Sequence, residues 1–249
     1  MKTVNVGFPL IQLQSVDSTN SYASQLLRMS EVTEGTAILA VQQTHGKGYG
    51  GSQWISEPGQ NLLFSFILKP GFLPADHQFY LSMCVSNAIL DFISGLAGPV
   101  CVKWPNDILL QGGKVAGILI ENTVLDRNLY TSVIGIGLNV NQKNFPPGLP
   151  NPVSLSIAAG TEFDLSDTLT SLFGSLNTHI SILYQEEYAR IKTAYLNNLQ
   201  GLNEWAIFED QSGTFEGRIV DVADTGELIV ANHEGEVKQY RFKEVTVKT

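Results

Sequence analysis

The stretch Val100-Cys101-Val102-Lys103-Trp104-Pro105-Asn106-Asp107-Ile108-Leu109-Leu110-Gln111-Gly112-Gly113-Lys114-Val115-Ala116-Gly117-Ile118 reads as strands divided by tight turns. Val100, Val102 and the run Ile108 to Leu110 are strand formers, while Pro105-Asn106-Asp107 and Gln111-Gly112-Gly113 interrupt them. The apolar run Val115 to Ile120 continues as the next strand after the glycine turn. Lys103 and Lys114 bracket the carboxylate of Asp107. Lysines on such a hairpin commonly end as solvated charges on an edge strand. Here the rest of the chain argues for a site instead.

The 249 residues suffice for one large domain or a domain with a small module, with a sizeable buried core. A net charge of -9 argues against broad binding to a nucleic-acid backbone or an anionic membrane surface, each of which asks for a basic face. No apolar run approaches a membrane span, and the N-terminus lacks the basic-then-apolar pattern of a secretion signal. Cys84 and Cys101 sit in apolar runs and read as buried thiols of a reducing cytoplasm. The four histidines have no metal-ligand spacing, so zinc is not indicated.

Upstream of the hairpin, residues 3–15 make a first strand, and Asp17-Ser18-Thr19-Asn20 then offers several helix caps in succession. One cap starts a helix; the surplus hydroxyls point to a polar or anionic ligand at the helix start. A strand over 35–42 runs into Gln43-Thr44-His45-Gly46-Lys47-Gly48-Tyr49-Gly50-Gly51-Ser52-Gln53-Trp54. Its glycines formally satisfy G-x-G-x-x-G, but a dinucleotide motif must open a helix, and residues 61–68 read as another strand. The glycines therefore indicate a mobile loop whose bare backbone can cover a ligand.

A buried helix is expected over 76–96, and a strand over 130–140 that contains Gly135-Ile136-Gly137-Leu138-Asn139. Glycines two apart in a strand suggest close approach of a ligand or another backbone, with Asn139 placed to offer its amide to a base or sugar edge. Residues 165–199 carry a helical apolar stripe capped at Ser166 and broken near Gly174 or Glu186. From about residue 203, short alternating runs over 214–220, 227–230, 237–242 and 245–247 suggest a small SH3-like β-barrel.

These motifs, in this order, resemble biotin–protein ligases of the class that lacks a DNA-binding domain. Ser18-Thr19-Asn20 is similar to the family's biotin-contacting segment, and Gln43 through Trp54 to its glycine-rich biotin and adenylate loop. Lys103-Trp104-Pro105-Asn106-Asp107, Lys114-x-Ala116-Gly117-Ile118 and Gly135-x-Gly137-x-Asn139 follow in family order. The resemblance implies an α+β fold: a mixed or antiparallel sheet packed with helices, of the class II synthetase kind, over 1–200, then the SH3-like module over 201–249. Where the family loop commonly reads Gly-Arg-Gly-Arg, this chain has Lys47 and Tyr49. Lysine keeps the charge without the bidentate fork, and tyrosine removes a cation.

The implied activity is ATP-dependent formation of biotinyl-5'-AMP and transfer of biotin to a lysine of a biotin carboxyl carrier domain in a biotin-dependent carboxylase. The implied catalytic residues are Lys114, bridging the biotin carboxylate and α-phosphate, and Asp107, orienting Mg²⁺ with Asn106 and helping to deprotonate the acceptor amine. Ser18, Thr19, Asn20, Gln43, Gly46, Lys47, Lys114 and Gly117 would bind biotin. Lys47, Trp54, Lys103, Asn106 and Asn139 would bind ATP or the adenylate. The expected setting is cytoplasmic, without DNA or membrane, with room for a homodimer. Three alternatives stand beside it: a lipoate or octanoate ligase or transferase of the same fold, a biotin-responsive repressor, and a non-catalytic binding protein. The polar Ser18-Thr19-Asn20 run with Gln43 favours a ureido head group over a lipoyl one. Retention of Lys114 and Asp107 argues against mere binding of a neutral ring.

Overall fold

The computed structural model describes residues 4–248. Seven strands form the main sheet: β1 (Leu10–Val16), β2 (Ala37–Gln43), β3 (Leu62–Leu68), β4 (Val100–Lys103), β5 (Asp107–Leu110), β6 (Gly113–Leu125) and β7 (Asn128–Leu138). Their spatial order is β1-β2-β3-β7-β6-β5-β4. β1 and β2 pair in parallel because the helix α1 (Thr19–Met29) carries the chain between them; every other neighbour is antiparallel. The sheet is mixed, as expected.

β3 is buried along its whole length. Leu62, Phe64, Phe66 and Leu68 face the large core, formed with α2 (Phe79–Ser94) and α4 (Leu165–Tyr184). Ile67 joins Ala23, Ile38 and Val133 in a smaller cluster beneath α1. The alternation of a strand thus serves two helical layers. α4 is capped by Asp164, not Ser166: its carboxylate accepts from the Ser166 and Asp167 N–H groups at 2.8 and 2.9 Å. The helix continues through Gly174 and ends before Glu186, whose positive φ of 56° turns the chain into α5 (Tyr188–Asn197). A short helix not foreseen, α3 (Leu155–Ala159), follows the proline-rich segment 145–152 and is capped by Ser154.

The C-terminal strands are β8 (Trp205–Asp210), β9 (Gly213–Val222), β10 (Leu228–Ala231), β11 (Val237–Tyr240) and β12 (Thr246–Lys248). They form one antiparallel sheet in the order β11-β10-β9-β8-β12, with no β11–β12 ladder closing it among the described residues. β8 escaped the sequence reading because Trp205 and Ile207 on its outer face are large and exposed. Cys84 and Cys101 are both free thiols. Burial in α2 pushes the Cys84 thiol far above its usual range. No helix among the described residues is long and apolar enough to cross a membrane.

Candidate active site

A cavity of 310 Å³ lies where the start of α1, the 46–54 loop, the β4–β5 turn and the glycines of β6 and β7 converge. Four lysines line it, Lys47, Lys103, Lys114 and Lys243, against the single carboxylate of Asp107. In an acidic chain, that concentration of cations marks an anion site.

Lys114 reaches Asp107 at 2.6 Å, and both side chains keep about a quarter of their surface, at 28% and 25%. A β-bulge sets this contact. Asp107 pairs with Gly117 and Ile108 with Ala116, but the register then shifts so that Leu109 pairs with Lys114. Without the extra residue, Lys114 would pair with Leu110 and share the core-directed face of Ile108. The bulge turns it to the face of Asp107 instead. The chain around Lys114 is also pinned, its N–H donating to the Asn151 carbonyl at 2.7 Å and its carbonyl accepting from the Val153 N–H at 3.0 Å. Asn106 donates its side-chain amide to the Ile118 carbonyl at 2.7 Å, tying the β4–β5 turn to β6.

The opposite wall is neutral and polar. Ser18 occupies the cap position of α1 yet makes no side-chain cap bond. The Gln43 side-chain carbonyl accepts from the Thr19 N–H at 2.7 Å and its hydroxyl at 3.1 Å. Ser65, the one polar residue of β3, donates within reach of both Thr19 (2.7 Å) and Asn20 (2.6 Å). Asn20 in turn donates to Glu121 at 2.8 Å, and Lys47 lies 4.0 Å from that same carboxylate. Ser65 and Glu121 were not singled out from sequence. A lone hydroxyl within an apolar strand was the available signal for the first; nothing local distinguishes the second.

The glycine-rich loop is a small hairpin. Lys47 bridges to Gln53, the Gly48 N–H donates to the Ser52 carbonyl at 2.7 Å, and the Trp54 N–H donates to the Gly46 carbonyl at 2.9 Å. Its last residue, Trp54, lays its indole on the sheet over Gly117 and Gly137. A Cβ at Gly137 would come within 2.4 Å of that ring, which explains the glycine. Lys114 Nζ stands 5.6 Å from the centre of the same indole.

Ser18, Thr19, Asn20, Gln43, Lys47, Trp54, Lys103, Asn106, Asp107, Lys114 and Gly117 all line this cavity. Gly46 and Asn139 do not. Gly46 sits at the base of the hairpin, where a Cβ would meet the Trp54 carbonyl at 2.5 Å. Asn139 lines an adjoining cavity of 220 Å³, which shares Trp54 and Lys114 with the first. Its amide N–H groups go to the carbonyls of Val153 (3.0 Å) and Lys114 (3.4 Å), while its side-chain oxygen is buried without a partner. The Trp54 indole N–H is likewise buried and unpaired. Buried polar atoms are seldom left so. Tyr49, Phe242 and Lys243 also line the cavity; the last two, from the turn between β11 and β12, were missed because the loop they meet is 193 residues away.

The chain is similar to known proteins in sequence and in fold. Residues 12–139 match the biotin/lipoate A/B protein ligase family. The chain is 31% identical over 244 residues to the bifunctional ligase/repressor BirA of Bacillus subtilis, covering 96% of this chain and 74% of the relative. It is 30% identical over 230 residues to the biotin–[acetyl-CoA-carboxylase] ligase of Paracoccus denitrificans, covering 90% and 94% respectively. Among solved structures, the biotin protein ligase of Aquifex aeolicus in complex with biotin and ATP superposes with a TM-score of 0.78 at 26% identity, covering 96% of this chain and 98% of that one.

Proposed function

The chain belongs to the biotin/lipoate A/B protein ligase family, and we propose that it is an ATP-dependent biotin–protein ligase that makes biotinyl-5'-AMP and passes the biotinyl group to a lysine of a carrier domain. The observation that carries this reading is the cavity itself: four lysines on one side, and a wall of hydroxyl and amide groups on the other.

In the first step an oxygen of the biotin carboxylate attacks the α-phosphorus of ATP. A P–O bond forms, the bond to the β-phosphate bridging oxygen breaks, and pyrophosphate leaves. Two anions must meet, so fixed cations are needed where charge accumulates. Lys114 is assigned to bridge carboxylate and α-phosphate, with its ammonium held by Asp107 until the anions arrive. Lys47 and Lys103 address the phosphates. Magnesium would lower the repulsion between phosphate oxygens and the incoming carboxylate. Asp107 with Asn106 suits an ion carried in on phosphates, since such ions need only one or two protein ligands. Among the described residues, no cluster of three acidic, histidine or cysteine side chains could hold a metal without the nucleotide.

Ser18, Thr19, Asn20 and Gln43 are assigned to the ureido ring of biotin, whose carbonyl and two N–H groups ask for both donors and acceptors, with Gly117 contributing its backbone. The adenine is assigned to the adjoining cavity, which is lined by Asn139 and Trp54, two residues whose side-chain oxygen and indole N–H have no partner within the protein. Gly46 and Lys47 sit at the base of the covering hairpin. In the second step the acceptor amine attacks the activated carbonyl, a C–N bond forms, the bond to AMP breaks, and Asp107 is assigned to help take up the amine proton.

The acceptor is taken to be the carrier domain of a biotin-dependent carboxylase and the compartment the cytoplasm. No DNA contact is assigned, given the net charge of -9. Residues 1–200 would form the ligase domain and 201–249 the accessory module. Incubating the purified protein with ATP, Mg²⁺ and either biotin or lipoate, without acceptor, and analysing the products by mass spectrometry tests the reading. Biotinyl-adenylate is expected; lipoyl-adenylate in its place would transfer the protein to the lipoate branch, to which the polar wall gives less support.

A further inference from the structure

We propose that Phe242 and Lys243, in the turn between β11 and β12, are positioning residues for the reaction, gripping the glycine-rich hairpin through Tyr49 and Gly50 and thereby keeping the adenylate from escaping. This rests on the ligase reading above. The Tyr49 and Phe242 rings meet edge to face, with centroids 4.7 Å apart and planes at 73°. Lys243 Nζ donates to the Gly50 carbonyl at 2.8 Å. Gly50 permits the approach: it has a positive φ of 63°, and a Cβ there would lie 2.8 Å from the Phe242 ring.

The grip is anchored on its far side. Phe242 packs at 6.2 Å against Trp104, in the β4–β5 turn that also carries Lys103 and Asp107. Trp104 is itself fixed by donation of its indole N–H to the Gly226 carbonyl at 2.9 Å. A chain of contacts therefore runs from the hairpin tip through the β11–β12 turn to the catalytic turn, and each ring in it lines the cavity.

The hairpin needs such a hold. Four glycines in six positions, 46 to 51, leave its open states with large conformational freedom. Within the hairpin itself, its tip is closed by short-range bonds among Gly48, Tyr49 and Ser52. The hairpin's own cation, Lys47, stands 4.0 Å from Glu121, so its attraction to a phosphate must compete with that carboxylate. An edge-to-face ring pair is independent of such competition and of salt.

The test forms the adenylate on the enzyme from ATP and biotin without acceptor, then measures free adenylate release by rapid filtration and mass spectrometry. Phe242→Ala and Tyr49→Ala should each raise the release rate about 3- to 10-fold, the range expected of one aromatic pair. Tyr49→Phe should behave as wild type, because the ring and not the hydroxyl makes the contact. The double alanine variant should release no faster than either single one. In parallel, amide hydrogen exchange over residues 46–53, without ATP or biotin, should quicken in both alanine variants. Should Phe242→Ala not fold, Phe242→Leu removes the ring while keeping apolar bulk. Unchanged release and exchange in the Phe242 variant, or fully multiplicative effects in the double variant, would overturn the proposal. A wild-type protein that makes no adenylate would instead overturn the ligase reading, and the exchange measurement would still decide the grip.

Discussion

Lys114 is held by a carboxylate at 2.6 Å and an indole at 5.6 Å, so its ammonium is placed before any substrate arrives. Such preorganisation is what a group stabilising developing charge requires. Lys114→Ala should therefore lower the rate of adenylate formation by about 100-fold or more. Its effect on stability should be small, a shift of about 2–4 °C in melting temperature, because water reaches the Asp107 carboxylate left behind. Single-turnover kinetics and a thermal melt on the same preparation check both halves. Equal turnover with an equal melt would remove Lys114 from its role. The candidates Lys103, Asp107 and Lys114 were legible because charged residues at turn boundaries stand out in an apolar run. Ser65 and Glu121 were not, since their value lies in Thr19, Asn20 and Lys47, partners that only the fold supplies.

Among the elements, the β4–β5–β6 hairpin was readable from alternation and turn residues, whereas its bulge was not. A one-residue offset is invisible in a strand pattern, yet it decides which face Lys114 takes. The same limit applies to the glycine-rich segment, where residue types announced a covering loop but not the hairpin or its partner. In the C-terminal sheet, Asp210 at the β8–β9 turn binds Lys238 at 2.6 Å, the Ser212 N–H at 2.7 Å and Tyr240 at 2.9 Å. The Lys238 bond first, then Ser212 and Tyr240, hold its carboxyl down at about 2. A depressed folded value means that the contribution is complete above the ordinary value of 3.8 and is lost as pH falls through about 2. Asp210→Asn should accordingly melt lower than wild type at pH 5. The gap should narrow as pH is lowered from about 4 towards 2. Melting curves across that range check it; a gap independent of pH would mean that the charge is not what the turn uses.

At the scale of the whole molecule, the C-terminal sheet shares one hydrophobic cluster with the main domain. Phe208, Ile219, Val222, Leu228, Tyr240 and Val245 belong to the same core as Phe79 and Tyr195. Polar ties reinforce the joint. Tyr80 donates to Asp224 at 3.0 Å, Lys192 pairs with Asp221 at 3.0 Å, and the Phe79 N–H bonds the Asp224 carbonyl at 3.3 Å. Burial and then Asp224 push the Tyr80 hydroxyl up to about 12, which keeps it a donor at any ordinary pH. Removing residues 201–249 should therefore uncover apolar surface around Phe79 and Trp104. The truncated chain should aggregate or bind a hydrophobic dye, as size-exclusion chromatography and dye fluorescence would show. A stable, monodisperse truncation would mean that the two units fold independently.

The chain by itself determined most of the strands and helices, the strand-rich character of its end and most of the residues that meet in the cavity. Each of these follows from short-range physics: side-chain period, turn chemistry, and charge out of keeping with its surroundings. The tertiary structure alone decided that Lys114 faces Asp107, that Asn139 and Gly46 stand outside the main cavity, and that Phe242 and Lys243 reach the hairpin. Those relations depend on register shifts and on contacts between segments up to 193 residues apart. No local pattern encodes such a contact; it exists only once the core that joins the two sheets has formed.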